Sequence, residues 1–117
     1  MPLHTPSHPQ NVTFDGPRAV IRVSDAHLGS AGDTAPGQRL YRLIEGLDRS
    51  DVALDFENVR FLSSIGLSVL LTLHKQLRAA GGRLAILNVQ PPIWEIFVVT
   101  RLVTVLDVHP KDAPAPV

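Results

Sequence analysis

Residues 51–89 read DVALDFENVRFLSSIGLSVLLTLHKQLRAAGGRLAILNV, and in them a strand pattern, a helix pattern and a second strand pattern follow one another. In Asp51 to Phe56 (DVALDF), the apolar residues Val52, Leu54 and Phe56 fall on one side of an extended chain. Residues 64–80 (SIGLSVLLTLHKQLRAA) change to helical spacing: Leu67, Leu70, Leu71 and His74 share a face, widened by Val69, Leu73 and Leu77. Gly81-Gly82 then stops the helix, because glycine adopts the left-handed cap conformation at little cost. Arg83 to Val89 (RLAILNV) is an apolar run of the kind buried on both faces of a parallel sheet.

The flanking sequence continues the alternation. Upstream, Arg18 to Val23 (RAVIRV) reads as a strand, pairing with a shorter one at Asn11 to Phe14. Asp25 to Gly37, with its glycines, proline and aspartates, reads as a long loop. Gln38 to Leu47 carries Leu40, Leu43, Ile44 and Leu47 at helical spacing. Downstream, Pro91-Pro92 opens a helix through Thr100, with Ile93, Ile96, Phe97 and Thr100 inward, and Val103 to Val108 supplies a last strand. The class is therefore α/β: a four- to five-stranded, mostly parallel sheet with helices packed on it through right-handed crossovers. Residues 11–108 form the domain, and the proline-rich segments 1–10 and 109–117 are expected to be flexible tails.

Composition narrows the function. A chain of 117 residues, 44% hydrophobic, fits one domain with a proper core. Absence of cysteine removes disulfides, thiolate metal sites and cysteine nucleophiles. The formal net charge is zero and the arginines are spread along the chain, which argues against nucleic acid as a partner. The opening MPLHTPSHPQ has no basic start followed by an apolar stretch, and no window reaches the ~20 apolar residues of a membrane span. A cytoplasmic protein without membrane insertion is expected. His4 and His8 have a spacing that binds metal only on a helix, which Pro6 and Pro9 oppose, so no metal or cofactor is expected.

The junction Val59 to Leu67 (VRFLSSIGL) carries the most information. A serine at a helix start can cap a free backbone amide, which stabilises a helix by about 1 kcal/mol. The same place has a second use. Unsatisfied amides and the positive end of the dipole favour an anion, so a phosphate on Ser64 would alter the surface without melting the helix.

The run from Asp51 to Val89 resembles the STAS domain, named for sulfate transporters and anti-sigma-factor antagonists. Members carry a strand ending near an Asp, a short apolar step, and Asp-Ser-Ser/Thr-Gly-Leu opening a helix that closes in Ala-Gly-Gly before an apolar strand. Asp55, Phe61, Ser64, Gly66, Leu67 and Gly81-Gly82 stand in those places, and Thr100-Arg101-Leu102 is similar to the family's Thr/Ser-Gly-Leu. The resemblance implies a SpoIIAA-like fold and a non-enzymatic, protein-binding regulator of transcription. Its implied partners are an anti-sigma factor that is also an ATP-dependent serine kinase, and a serine phosphatase that reverses the modification. By position Ser64 is the phosphorylation candidate, and Ser63, Ile65, Gly66 and Trp94 are candidates for partner contact. The chain departs from the pattern at Ser63, where the family has Asp, and at Ile65, where it has Ser or Thr. Ser24 to Leu28 likewise replaces the usual Gly-Glu-Leu-Asp. These departures support an alternative, a non-phosphorylated scaffold STAS domain in a transporter-associated or signalling complex.

Trp94, off the inner stripe of its helix, is read as a core-flanking residue or an interface anchor. His74 reads as a partly buried histidine and Arg101 as a helix-end charge near the negative end of the dipole. Asp25, His27 and Asp33 lack the spacing of a metal site. Ser64-Ile65-Gly66 lacks the glycines of a nucleophile elbow or a phosphate-binding loop, so no enzyme is expected. A homodimer is compatible with all of this.

Overall fold

The structure is a computed structural model and describes residues 11–24, 28 and 35–111. His4, His8, Asp25, His27 and Asp33, and most of both expected tails, lie outside the described residues. The elements are β1 (Val12–Asp15), β2 (Arg18–Ser24), α1 (Gln38–Leu47), β3 (Asp51–Asn58), α2 (Ser64–Ala79), β4 (Arg83–Val89) and α3 (Pro91–Val99). A 3-10 turn at Leu102–Thr104 and the strand β5 (Asp107–Pro110) follow.

The sheet order is β1-β2-β3-β4-β5. Only the β1–β2 hairpin is antiparallel, and the other pairs are parallel. Three successive parallel neighbours, each stepping the same way along the sheet, place every right-handed crossover on the same side. The helices accordingly share one face. Register confirms which: Ile21 pairs with Leu54, and Leu54 with Ile86. These side chains join Leu40 and Ile44 of α1, Leu70 and Leu73 of α2, and Ile93 and Phe97 of α3 in one buried cluster. The rings of Phe56 and Phe97 meet at a centroid distance of 6.4 Å, pinning α3 to β3.

The other face of the sheet is thinner than the sequence suggests. The run in β4 predicts burial on both sides, yet on the second side only the small Ala85 is buried and Leu87 is half-buried. Among the described residues no helix covers that side, and neighbouring β2 and β3 carry polar residues such as the exposed Arg22 there.

Helix faces also differ from expectation. The buried stripe of α2 is Gly66, Val69, Leu70, Leu73 and Leu77, whereas Leu67, Leu71 and His74 are half-buried. At ~100° per residue, the latter lie roughly 80–140° around the helix from the line that faces the sheet. In α3 only Ile93 and Phe97 are buried. Thr100 is not an inner residue; it is exposed, and its hydroxyl donates to the Ile96 carbonyl at 2.7 Å.

The expected strand at 103–108 starts late. Arg101 turns the chain at φ 63, and the Val105 and Leu106 amides both donate to the Leu102 carbonyl, at 3.0 and 2.8 Å. That turn consumes the first residues of the apolar run, and sheet pairing begins only at Asp107 opposite Ala85. It then continues past residue 108 to Pro110, and the Lys111 amide donates to the Val89 carbonyl.

Arg101 thus occupies a left-handed conformation that favours glycine. A left-handed non-glycine residue costs roughly 1–2 kcal/mol, partly offset by glycine's larger loss of freedom on folding. Arg101→Gly is expected to stabilise the domain by about 0.5–1 kcal/mol, read as a Tm increase of a few degrees in a thermal melt.

Candidate functional site at the start of the second helix

Asp55, near the end of β3, fixes the approach to the site. Its Oδ1 accepts from the Glu57 amide at 3.0 Å and from Asn88 Nδ2 at 3.1 Å, and Arg22 Nε lies 4.0 Å from Oδ2. Gln90 Nε2 donates to the Glu57 carbonyl at 2.9 Å, and Lys111 Nζ lies 3.4 Å from Glu57 Oε2. Asn88 reaches Asp55 because it sits at φ 57, where the β4–β5 register shifts. Side chains from β4 and the α3 start therefore tie down the last residues of β3. The Val59 amide then donates to the Phe56 carbonyl at 2.9 Å, and Val59 is fully buried.

Beyond Val59 the chain comes to the surface. Phe61 is 77% exposed, while Leu62 turns inward onto the core. Gly66 is what lets Leu62 do so: a Cβ at residue 66 would stand 2.8 Å from Leu62 Cδ1 and 3.5 Å from Leu28 Cβ. Gly66, a sequence candidate for partner contact, is buried, so its place in the site is packing beneath the loop.

The two serines divide the roles that the sequence left on one. Ser63 is the cap: it is extended at φ −92, ψ 174, and its Oγ accepts from the Gly66 amide at 3.3 Å. Ser64 is the first helical residue and is exposed. Its carbonyl accepts from Ser68 Oγ at 3.1 Å, but its own hydroxyl has no hydrogen-bond partner among the described residues. The Ser64 and Ile65 amides also lack partners among the described residues. No acidic residue lies in the first turn of α2. The site therefore presents an unengaged hydroxyl beside free amide donors at the positive end of a helix of 16 residues.

Stability measurements separate the two serines. Ser63→Ala is expected to cost about 1 kcal/mol through loss of the cap, whereas Ser64→Ala should stay within ~0.5 kcal/mol of the parent in the same denaturant titration.

The remaining candidates sit as follows. Ile65 is half-buried on the rim of the site. Trp94 is half-buried and packs against the core cluster from α3. The Asp55, Asn88 and Gln90 brace is the part that residue patterns did not pick out, beyond Asp55 as a motif position. Its signal was the polar Asn88 and Gln90 closing an otherwise apolar strand. Among the described residues, no group of three or more His, Cys, Asp or Glu could hold a metal ion. Among them, too, no helix is long and apolar enough to cross a membrane.

Comparison with known proteins places this geometry. The chain is 27% identical over 64 residues to an anti-sigma F factor antagonist of Paenibacillus polymyxa. That match covers 55% of each protein, so the chain spans about half the length of this curated relative. Among solved structures, it is similar to a proposed anti-sigma factor antagonist from Thermotoga maritima, with a TM-score of 0.65 at 11% identity, covering 84% of this chain and 83% of the other. It is also similar to RsbS from Moorella thermoacetica carrying a serine-to-glutamate substitution, with a TM-score of 0.59 at 9% identity over 86% and 87% of the two chains. These two likenesses establish the fold. The sequence model of the STAS domain matches residues 34–113, most of the chain and the start of α2 with both serines, and the protein belongs to the STAS domain family.

Proposed function

We propose that this STAS domain is an anti-sigma-factor antagonist that docks on a kinase-type anti-sigma factor through the surface around the α2 start. In this reading the partner phosphorylates Ser64 and a serine phosphatase restores the binding form. The observation that carries it is the exposed Ser64 hydroxyl, without a described partner, next to the free amides that begin α2. A phosphate there adds about −1.5 to −2 charges, which the helix end accommodates. For a partner whose contact surface is apolar or acidic, the same charge adds desolvation cost and repulsion. The fold stays while the surface changes. The name of the Paenibacillus polymyxa relative supports an anti-sigma factor as the partner class. Binding, and no chemistry by the domain itself, is the activity proposed, with the cytoplasm as its place.

Ser63, standing where the family has an acid, favours a second reading: a scaffold STAS domain that is never phosphorylated. Affinity capture from the native cell extract distinguishes the two, using the parent and Ser64→Asp as baits with phosphatase inhibitors present. The first reading expects a histidine-kinase-like ATPase on the parent, its loss from Ser64→Asp, and phosphate on Ser64 by mass spectrometry. The same assembly on both baits, with no phosphate on Ser64, would establish the scaffold instead.

A further inference from the structure

At the other end of α2 from Ser64 lies a groove of about 390 Å³ whose lining includes His74, Arg78, Arg83, Leu84, Val105 and Asp107. Its charge is unbalanced. Neither Arg78 nor Arg83 has an ion-pair partner among the described residues. Asp107, the one acid in the lining, already accepts from His109 Nε2 at 2.8 Å. A helix C-terminus ordinarily repels anions through its bare carbonyls. Here the Leu77 and Arg78 carbonyls accept from the Gly82 and Gly81 amides at 2.8 and 3.0 Å, which blunts that repulsion.

The histidine adds a second kind of observation. His74 Nδ1 is sealed from solvent and has no hydrogen-bond partner among the described residues. Two arginines and the imidazole of His74 then line a single groove, with Leu84 and the half-exposed Val105 as its apolar wall.

We propose that this groove is a second docking site, for an acidic segment of a protein partner that places carboxylates on Arg78 and Arg83 and an apolar side chain against Val105. Guanidinium groups bind carboxylates through paired, charge-assisted hydrogen bonds, which matches the unpaired arginines to this class of ligand. The fourteen residue steps of α2 from Ser64 to Arg78 span about 21 Å at ~1.5 Å per residue. The groove is thus set apart from Ser64, and the inference does not depend on phosphorylation. The domain becomes a two-sided adaptor.

The test uses the full chain in a ¹⁵N-resolved NMR titration. The probe is a short peptide of alternating glutamate and leucine, with its glutamine counterpart and inorganic phosphate as further arms. The expected result is a saturable shift of the His74, Arg78, Arg83 and Val105 amides. Affinity should fall about tenfold for the glutamine peptide, and about tenfold again for the acidic peptide on Arg78→Gln/Arg83→Gln, the size of losing charge-assisted contacts. Both arginines are exposed, so the variant's spectrum away from the groove serves as its fold control. Four results would overturn the proposal: shifts centred on Ser64 to Leu67, equal binding of both peptides, undiminished binding to the variant, or inorganic phosphate matching the peptide in affinity and in the shifts it causes. The last would mark a small-oxyanion site.

Discussion

Gly82→Ala is expected to destabilise the domain by about 3 kcal/mol, lowering Tm by roughly 10–15 °C. A Cβ at residue 82 would stand 1.9 Å from the Ser50 carbonyl oxygen and 2.5 Å from its carbon, and backbone cannot swing aside as a flexible side chain can. Nor can the chain slide. The Gly82 amide donates to the Leu77 carbonyl at 2.8 Å to close α2, and the next amide, of Arg83, donates to Ser50 at 2.9 Å to start the β3–β4 pairing. Relief of the clash must break one of these. Gly81→Ala is the matched control: residue 81 sits at φ 82 with open space around it, so it should lose only the left-handed penalty of roughly 1–2 kcal/mol. Equal losses in the two melts would show that close approach to Ser50 is not what the second glycine provides.

The largest loss from a single side chain should follow Phe97→Ala, at about 3–5 kcal/mol in a denaturant titration. Phe97 is fully buried and meets Phe56, itself fully buried, at 6.4 Å with the rings inclined by 48°. It is one of only two buried residues on α3, so truncation removes the main anchor of that helix as well as leaving a cavity. Val99→Ala, two residues on and 78% exposed, should cost nothing measurable, which makes the helix its own reference.

Those two sites show where the sequence is legible. Gln38–Leu47, with its helical spacing, and Arg83–Val89, an apolar run between Gly81-Gly82 and Pro91-Pro92, were readable to the residue, because local pattern and its punctuation define them. The turn ahead of β5 was not. Val103 to Val108 has strand composition, but a left-handed Arg101 and two amides on one carbonyl, that of Leu102, hold its first part in a tight turn. Burial of Thr100 and the width of the α2 stripe failed for a related reason. Periodicity gives a face, and only the sheet beneath decides which edge of that face is covered. The second side of β4 needed the strand order, since consecutive right-handed crossovers put α1, α2 and α3 all on the opposite side.

At the site, position was readable and division of labour was not. The motif placed Ser64 at the start of α2, where it lies. Which serine caps the helix depends on one residue of phase, since only the residue before the first helical one has extended geometry suited to reach the third amide. That residue is Ser63. The Asp55, Asn88 and Gln90 brace joins positions 33 residues apart, so the polar Asn88 and Gln90 hint at a role without showing what they reach.

The proposed switch depends on one physical premise: negative charge can be added at Ser64 while the scaffold beneath it keeps its stability. Incorporating phosphoserine at position 64 and comparing its thermal unfolding with that of the unmodified protein tests this directly. Free amides at the α2 start predict an unchanged Tm, or a rise of a few degrees from about 0.3–1 kcal/mol of favourable interaction with the helix end. A fall of several degrees would contradict it, because the modification would then act by loosening the fold and not by recharging its surface.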